Sequence, residues 1–177
     1  MKLSIVMPVY NERETIEEIL RQVMALELEK EIILVDDCST DGTREWLRDR
    51  EGGGRDGLRV VYHERNSGKG AALRTGFAHV TGDVVVPQDA DLEYDPQELI
   101  RLMEPFKRGV ADAVYGSRLM GGAPQRVHFF WHKVGNGLLS FLTNLLFNST
   151  LSDMETCYKM IRADVLRELN LVSNGFS

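Results

Sequence analysis

Apolar residues run through this chain in short blocks that stop at turn-forming or acidic residues. Leu3 to Val9, Glu31 to Val35, Leu58 to His63, Val84 to Pro87 and Ala111 to Tyr115 each read as a strand, the first and the fourth as buried ones, since brief apolar runs bounded by Gly, Pro or Asp are typical of buried strands. Between them, apolar positions recur at helical spacing. Ile16, Ile19, Leu20, Val23 and Leu26 mark one face of a helix over about Glu14 to Leu28, and Ala71, Ala72, Leu73, Phe77 and Val80 mark another after Gly70. Ser39 or Asp41 is placed to cap a helix running to about Arg50, and Asp95-Pro96 opens one through Leu99, Ile100, Met103 and Phe106. A short strand and a last helix follow the segment Asp153 to Lys159. Strands alternating with helices predict an α/β fold, a mostly parallel central sheet with helices on both faces.

The predicted strand ends carry the polar chemistry. In order they present Tyr10-Asn11-Glu12, Asp36-Asp37, Asp89-Ala90-Asp91 and Ser117-Arg118, and open α/β sheets bind ligands at the carboxyl ends of their strands. Asp89 and Asp91 are spaced to face one cleft with hard oxygen ligands suited to Mg²⁺ or Mn²⁺; the bland alternative is an acidic loop before a helix. Gly68-Lys69-Gly70 opens a helix whose first turn favours anions, without the Walker pattern. Asp36 and Asp37 suit helix capping and turn formation.

Composition narrows the class. With 27 Asp and Glu against 21 Lys and Arg, the net charge of −6 argues against a nucleic-acid binder. Cys38 and Cys157 have neither metal-ligand nor redox spacing and read as free thiols of a reducing compartment. No run approaches the ~20 continuous apolar residues of a spanning helix. The apolar stretch from Phe129 to Phe147, broken by Gly135-Asn136-Gly137, reads as a core helix over the sheet, as an aromatic-rich element at a membrane interface, or as both on different faces.

Taken together, Met7-Pro8-Val9-Tyr10-Asn11-Glu12, Ile33-Leu34-Val35-Asp36-Asp37 with Cys38 to Thr43, Asn66-Ser67-Gly68-Lys69-Gly70, Gln88-Asp89-Ala90-Asp91-Leu92 and Tyr115-Gly116-Ser117-Arg118 resemble glycosyltransferase family 2. These are inverting nucleotide-sugar enzymes of Rossmann-like GT-A fold, and the likeness is greatest to the dolichol-phosphate and polyprenyl-phosphate mannose synthases. The resemblance implies one catalytic domain over residues 1–177, with a nucleotide-sugar half to residue 118 and an acceptor half from 119 to 177. It implies donor contacts from Pro8, Tyr10, Glu12, Asp36, Asp37, Lys69 and Asp89, and a divalent cation on Asp89, Asp91 and a third group, Glu93. The implied donor is a GDP- or UDP-hexose, with mannose or glucose transferred.

The implied acceptor is a polyprenyl phosphate met at the cytoplasmic face of a membrane, by a peripheral protein. Its phosphate is assigned first to Arg118, which with Asp89 and Asp91 makes up the catalytic set, then to Arg126, His132 and Lys133. The family often has another basic residue where His132 stands. His128 and His132, four apart with no third ligand nearby, read as packing residues. Two other readings stay open: transfer to a sugar hydroxyl with Asp153 or Glu155 as base, and a nucleotide-sugar-binding domain without turnover. The family also continues further than Asn174-Gly175-Phe176-Ser177, so the acceptor half is expected to be shortened here.

Overall fold

The computed structural model describes residues 1–51, 57–116, 130–154 and 156–174. Among them the strands are β1 (Leu3–Val9), β2 (Lys30–Asp36), β3 (Leu58–Tyr62), β4 (Val84–Pro87), β5 (Ala113–Tyr115) and β6 (Lys159–Arg162), and they form one sheet in the order β3-β2-β1-β4-β6-β5. The helices are α1 (Ile16–Met24), α2 (Thr43–Glu51), α3 (Lys69–Phe77), α4 (Glu98–Leu102), α5 (Glu104–Lys107), α6 (Phe130–Phe147) and α7 (Ala163–Glu168). β1 pairs in parallel with β2 and β4, and β2 with β3; β6 runs against both β4 and β5. The expected mostly parallel α/β sheet is present, with β6 as its one reversed strand.

Handedness places the helices. The chain builds outward from β1 to β2 to β3, then returns to add β4 on the other side of β1. Right-handed crossovers therefore put α1 and α2 on one face and α3 on the opposite one. The core divides accordingly. Leu3, Ile5, Met7 and Val9 pack with Ile16, Ile19, Trp46, Leu47, Leu99 and Phe106, whereas Val6, Ile33, Val35 and Val85 pack with Ala72, Ala163 and Leu166. α3 comes very close to β1: a Cβ on Gly76 would lie 2.3 Å from Val6 Cγ1. The strand order reverses between β1 and β4, which makes the carboxyl ends of those strands the natural ligand crevice.

Two expectations change. The single helix after Asp95-Pro96 is two short ones meeting at Met103. Pro105 has no N–H to give the carbonyl four residues back, so the helical ladder breaks there. The core-helix alternative for the apolar stretch also fails for the described side chains of α6. Its polar stripe faces inward, with Asn136 and Ser140 buried, while Leu145, Leu146 and Phe147 are 68%, 75% and 75% exposed. The inward stripe has partners. Asn136 Nδ2 donates to Asp153 Oδ1 at 2.7 Å, Met154 N donates to Ser140 Oγ at 3.1 Å, and Asn144 exchanges bonds with the Leu151 backbone at 2.7 and 2.8 Å. Polar side chains four apart thus tie the helix to the 149–154 loop.

The opposite end of the sheet is closed by Glu31. Its carboxylate accepts bonds from Lys2 Nζ (2.9 Å), Ser4 Oγ (2.5 Å), Thr81 N (2.6 Å) and Thr81 Oγ1 (2.5 Å). Burial raises its pKa, but these donors outweigh burial and bring it from 4.5 to about 2. A folded-state pKa below the unfolded one stabilises the fold above about pH 4.5, and that stabilisation is lost as pH falls toward 2. In urea titrations the wild-type midpoint should fall over this interval more steeply than that of Glu31→Gln, with the two converging at the acid end. At Gly76, substitution by Ala forces a methyl into Val6, and urea denaturation should show a loss of about 1–3 kcal/mol.

Candidate active site

Three loops form the edge where β1, β2 and β4 end, and the first two are fastened together by short polar side chains. Asn11 N donates to Ser39 Oγ at 2.9 Å, Thr40 N to Asn11 Oδ1 at 2.8 Å, and Glu12 N to Thr43 Oγ1 at 3.0 Å. Of the two candidate caps, Asp41 acts at the start of α2, accepting from Thr43 N at 3.0 Å and Thr43 Oγ1 at 2.6 Å; Ser39 serves the β1 loop instead. Asn11 and Cys38 hold positive φ angles of 55° and 67°, turning both chains sharply at their strand ends. Tyr10 emerges 47% exposed beside this seam. Glu12 is held by Thr15 Oγ1 at 2.6 Å, and Pro8 lies inside β1 opposite Val35.

The adjacent acids of β2 face different tasks. Asp36 is fully buried, its Oδ2 2.6 Å from Arg44 Nε, and Arg44 also donates to the His63 carbonyl. Asp37 reaches the loop after β3, where Ser67 N and Gly68 N donate to its two oxygens at 2.9 and 2.8 Å. His63 Nδ1 lies 2.7 Å from Asp37 Oδ1 and Nε2 lies 2.9 Å from Thr75 Oγ1. A carboxylate receiving two backbone amides fixes the approach to α3, and hence where Lys69 stands.

Lys69 reaches across to the β4 loop, its Nζ 2.5 Å from Asp89 Oδ1. Burial alone lowers an ammonium pKa; here the facing Asp89 and Asp91 more than reverse that, and Lys69 is raised. Asp91 moves upward too, first through burial and then through repulsion from Asp89 and Glu93, against a bond from Glu93 N. The first turn of α3 does not offer all its amides to an anion: Gly70 N donates to Asn174 O at 3.0 Å, and Arg74 holds the Ser173 carbonyl and the Asn174 side chain.

The loop carrying Asp89 and Asp91 is anchored from below. Gln88 is buried, gives its Nε2 to the Asp89 carbonyl at 3.0 Å, and receives the Tyr158 hydroxyl at 2.7 Å. Tyr94 closes the other side, stacked at 4.8 Å on Tyr158 and accepting Cys157 N at 3.0 Å. Burial pushes the Tyr158 hydroxyl far up, so it remains a proton donor to Gln88. The Cys157 thiol, raised by burial and by Asp89, is likewise protonated.

A cleft of about 740 Å³ opens at this loop. Lys69, Asp89, Asp91, Thr156 and Lys159 stand among its lining, and Leu73, Phe77, Val85 and Ile161 give it an apolar floor between α3 and α7. Tyr94, Thr156, Cys157 and Lys159 are the members that sequence reasoning missed. Tyr94 follows the acidic loop itself, whereas Thr156, Cys157 and Lys159 arrive with the reversed strand β6, whose start lies beside the end of β4, and no spacing pattern announces that pairing. Among the described residues no three His, Cys, Asp or Glu side chains are gathered to cage a metal. Two carboxylates with open positions still fit a hard dication that keeps water and phosphate ligands, and the crowding that raises Asp91 is what such an ion relieves. Arg118 and Arg126, the side chains of His132 and Lys133, and Glu155 lie outside the described residues.

Known proteins resemble this chain in sequence and in fold. The chain is 35% identical over 142 residues to a dolichol-phosphate mannosyltransferase of Pyrococcus furiosus, covering 78% of this chain and 40% of that one. It is 33% identical over 173 residues to an undecaprenyl-phosphate 4-deoxy-4-formamido-L-arabinose transferase of Edwardsiella ictaluri, covering 94% and 51%. The chain therefore spans about half the length, or less, of these relatives. Among solved structures, a mannosyltransferase of Pyrobaculum calidifontis in complex with GDP-Man and Mn²⁺ superposes with a TM-score of 0.57 at 31% identity, over 64% of this chain and 34% of that one. The fold is that of the GT-A glycosyltransferases. With the glycosyl transferase family 2 profile matching residues 4–169, the chain belongs to that family.

Proposed function

We propose that this chain carries the donor site of an inverting, metal-dependent glycosyltransferase that moves a hexose, mannose or glucose, from a nucleoside diphosphate to a polyprenyl phosphate. The observation that carries the reading is the Lys69–Asp89 contact at the end of β4, with Asp91 beside it. Opposite charges gathered at a strand switch point suit a ligand that is itself a metal-bound diphosphate. Tyr10 and the fastened loops after β1 and β2 offer the nucleoside a wall. Asp37 acts through the Ser67–Gly68 turn that it holds, and Asp36 through Arg44.

Asp89 and Asp91 are the residues to hold Mg²⁺ or Mn²⁺, which when bound supplies Lewis-acid stabilisation to the departing diphosphate. Lys69 adds a fixed positive charge on the same side. Transfer then needs an acceptor oxygen in line with the anomeric carbon. A phosphomonoester, with its second pKa at ~6, is already largely dianionic at neutral pH and needs cations rather than a base. Arg118 is assigned that task first, then Arg126, His132 and Lys133. Asp153 supports a phosphate acceptor over a hydroxyl one: it is 1% exposed and bonded to Asn136, no position from which to take a proton from an incoming sugar. Both curated relatives are named as acting with polyprenyl phosphates.

The exposed apolar face of α6 gives the lipid a surface. Among the described residues no helix is long and apolar enough to cross a membrane. In this reading Leu138, Phe141, Leu145 and Phe147 enter the membrane interface from the surface of α6.

Calorimetric titration with GDP and UDP should show binding that Mn²⁺ strengthens, and Asp89→Asn should remove at least about ten-fold of that gain. Binding that ignores both metal and substitution rules the reading out. For the lipid face, Leu145→Glu with Phe147→Glu should cut sedimentation with anionic phospholipid vesicles by about ten-fold or more, while nucleotide affinity stays at the wild-type value.

A further inference from the structure

Two buried side-chain polar atoms lack a hydrogen-bond partner among the described residues, Trp46 Nε1 and Thr156 Oγ1. The indole lies on α2 with the guanidinium of Arg50 3.9 Å over its ring, away from the cleft. Thr156 is different. It is 1% exposed and lines the cleft that Lys69, Asp89 and Asp91 share. Its neighbour Cys157 is fixed by a bond from its N–H to Tyr94 and by packing of its thiol toward the Pro87 carbonyl at 3.8 Å. The hydroxyl is therefore held in place on a clamped backbone. A methyl built on Gly116, the residue before Ser117 and Arg118, would lie 3.7 Å from Thr156 Oγ1. Lys159, with no ion pair among the described residues, lines the same cleft.

A buried hydroxyl without a partner destabilises a fold, and such groups persist where a ligand completes them. We propose that the Thr156 hydroxyl is a substrate contact, donating to a phosphate oxygen seated between the Asp89–Asp91 loop and the end of β5. The inference rests on the reading of this cleft as a glycosyl-transfer site and adds a residue to it. A threonine suits the task because its branched Cβ restricts the rotamer. The phosphate is either that of the donor diphosphate or that of the lipid acceptor, and both present the same oxygen chemistry.

Thr156→Val keeps the shape and removes the hydroxyl; Thr156→Ser keeps the hydroxyl. Three quantities are measured for each variant: melting temperature without ligand, affinity for GDP and UDP with Mn²⁺, and KM for a short-chain polyprenyl phosphate. The expected result is that the Val variant melts at or above the wild-type temperature without ligand, since an unpaired group has been removed. It should lose about ten-fold in nucleotide affinity if the contact is to the donor, or gain about ten-fold in KM for the lipid if it is to the acceptor, with Ser restoring either. Unchanged affinity and KM in a wild-type protein that binds nucleotide overturn the Thr156 assignment and leave the transferase reading standing. A lower ligand-free melting temperature for Val also overturns it, by revealing an internal partner. A wild-type protein that binds neither nucleotide nor lipid phosphate overturns both.

Discussion

The hydrogen bond from Tyr158 to Gln88 holds together the parts of this molecule that the topology leaves separate. β4 enters the sheet beside β1 and its loop carries the acidic pair; β6 enters from the far end of the chain, in the opposite direction. Their antiparallel pairing is short, with Val84 opposite Arg162 and Val85 opposite Ile161. Beyond it, the exit of one and the entry of the other are joined by side chains, at Tyr158–Gln88, Tyr94–Cys157 and the tilted stack of the two tyrosines. Because Gln88 turns its amide to the Asp89 carbonyl, the position of the acidic loop depends on residues seventy places later in the chain. A neutral amide suits this buried place better than a charge, since both its ends are satisfied without desolvating an ion.

The same logic separates Asp36 from Asp37. Side chains alternate across a strand end, so adjacent carboxylates leave in different directions. Asp36 goes inward, where an unpaired charge is untenable, and Arg44 meets it. Asp37 goes toward the β3–α3 turn and collects amides. Two residues that look interchangeable in sequence thus hold different parts of the site. One locks α2 to the β3 end, and the other sets the height of Lys69 over Asp89.

Much of this was legible from sequence because parallel strands buried on both faces leave an unmistakable record. Leu3–Val9 and Val84–Pro87 fall within the predicted runs, and the acidic pair emerges at the tip as expected. Local rules also narrowed the cap of α2 to Ser39 or Asp41, and Asp41 is the one that acts. What escaped were features set by distant partners. The direction of β6 is decided by which edge of β4 remains open, and Thr156, Cys157 and Lys159 inherit their place from that choice. The break at Met103 was locally encoded by Pro105, but the apolar period running across it is the stronger pattern. In α6 the apolar residues dominate the composition, whereas Asn136, Ser140 and Asn144 decide which side faces the protein.

That inversion in α6 carries a consequence for the energetics of this part of the fold. A helix normally turns its apolar stripe inward because burial yields roughly 25 cal/mol per Å² of apolar surface. Here the inward contacts are hydrogen bonds to the 149–154 loop, each contributing on the order of 1 kcal/mol net, and the apolar area faces out. Such an arrangement is poor as a way to stabilise a free domain in water. Under the proposed contact of α6 with a lipid surface, the exposed side chains would meet an apolar phase, and the arrangement would become favourable there. The bond from Asn136 to Asp153 links that helix to the segment running through Thr156 and Tyr158 to the acidic loop. What α6 rests against is therefore connected, through buried polar contacts, to the place where Asp89 and Lys69 meet.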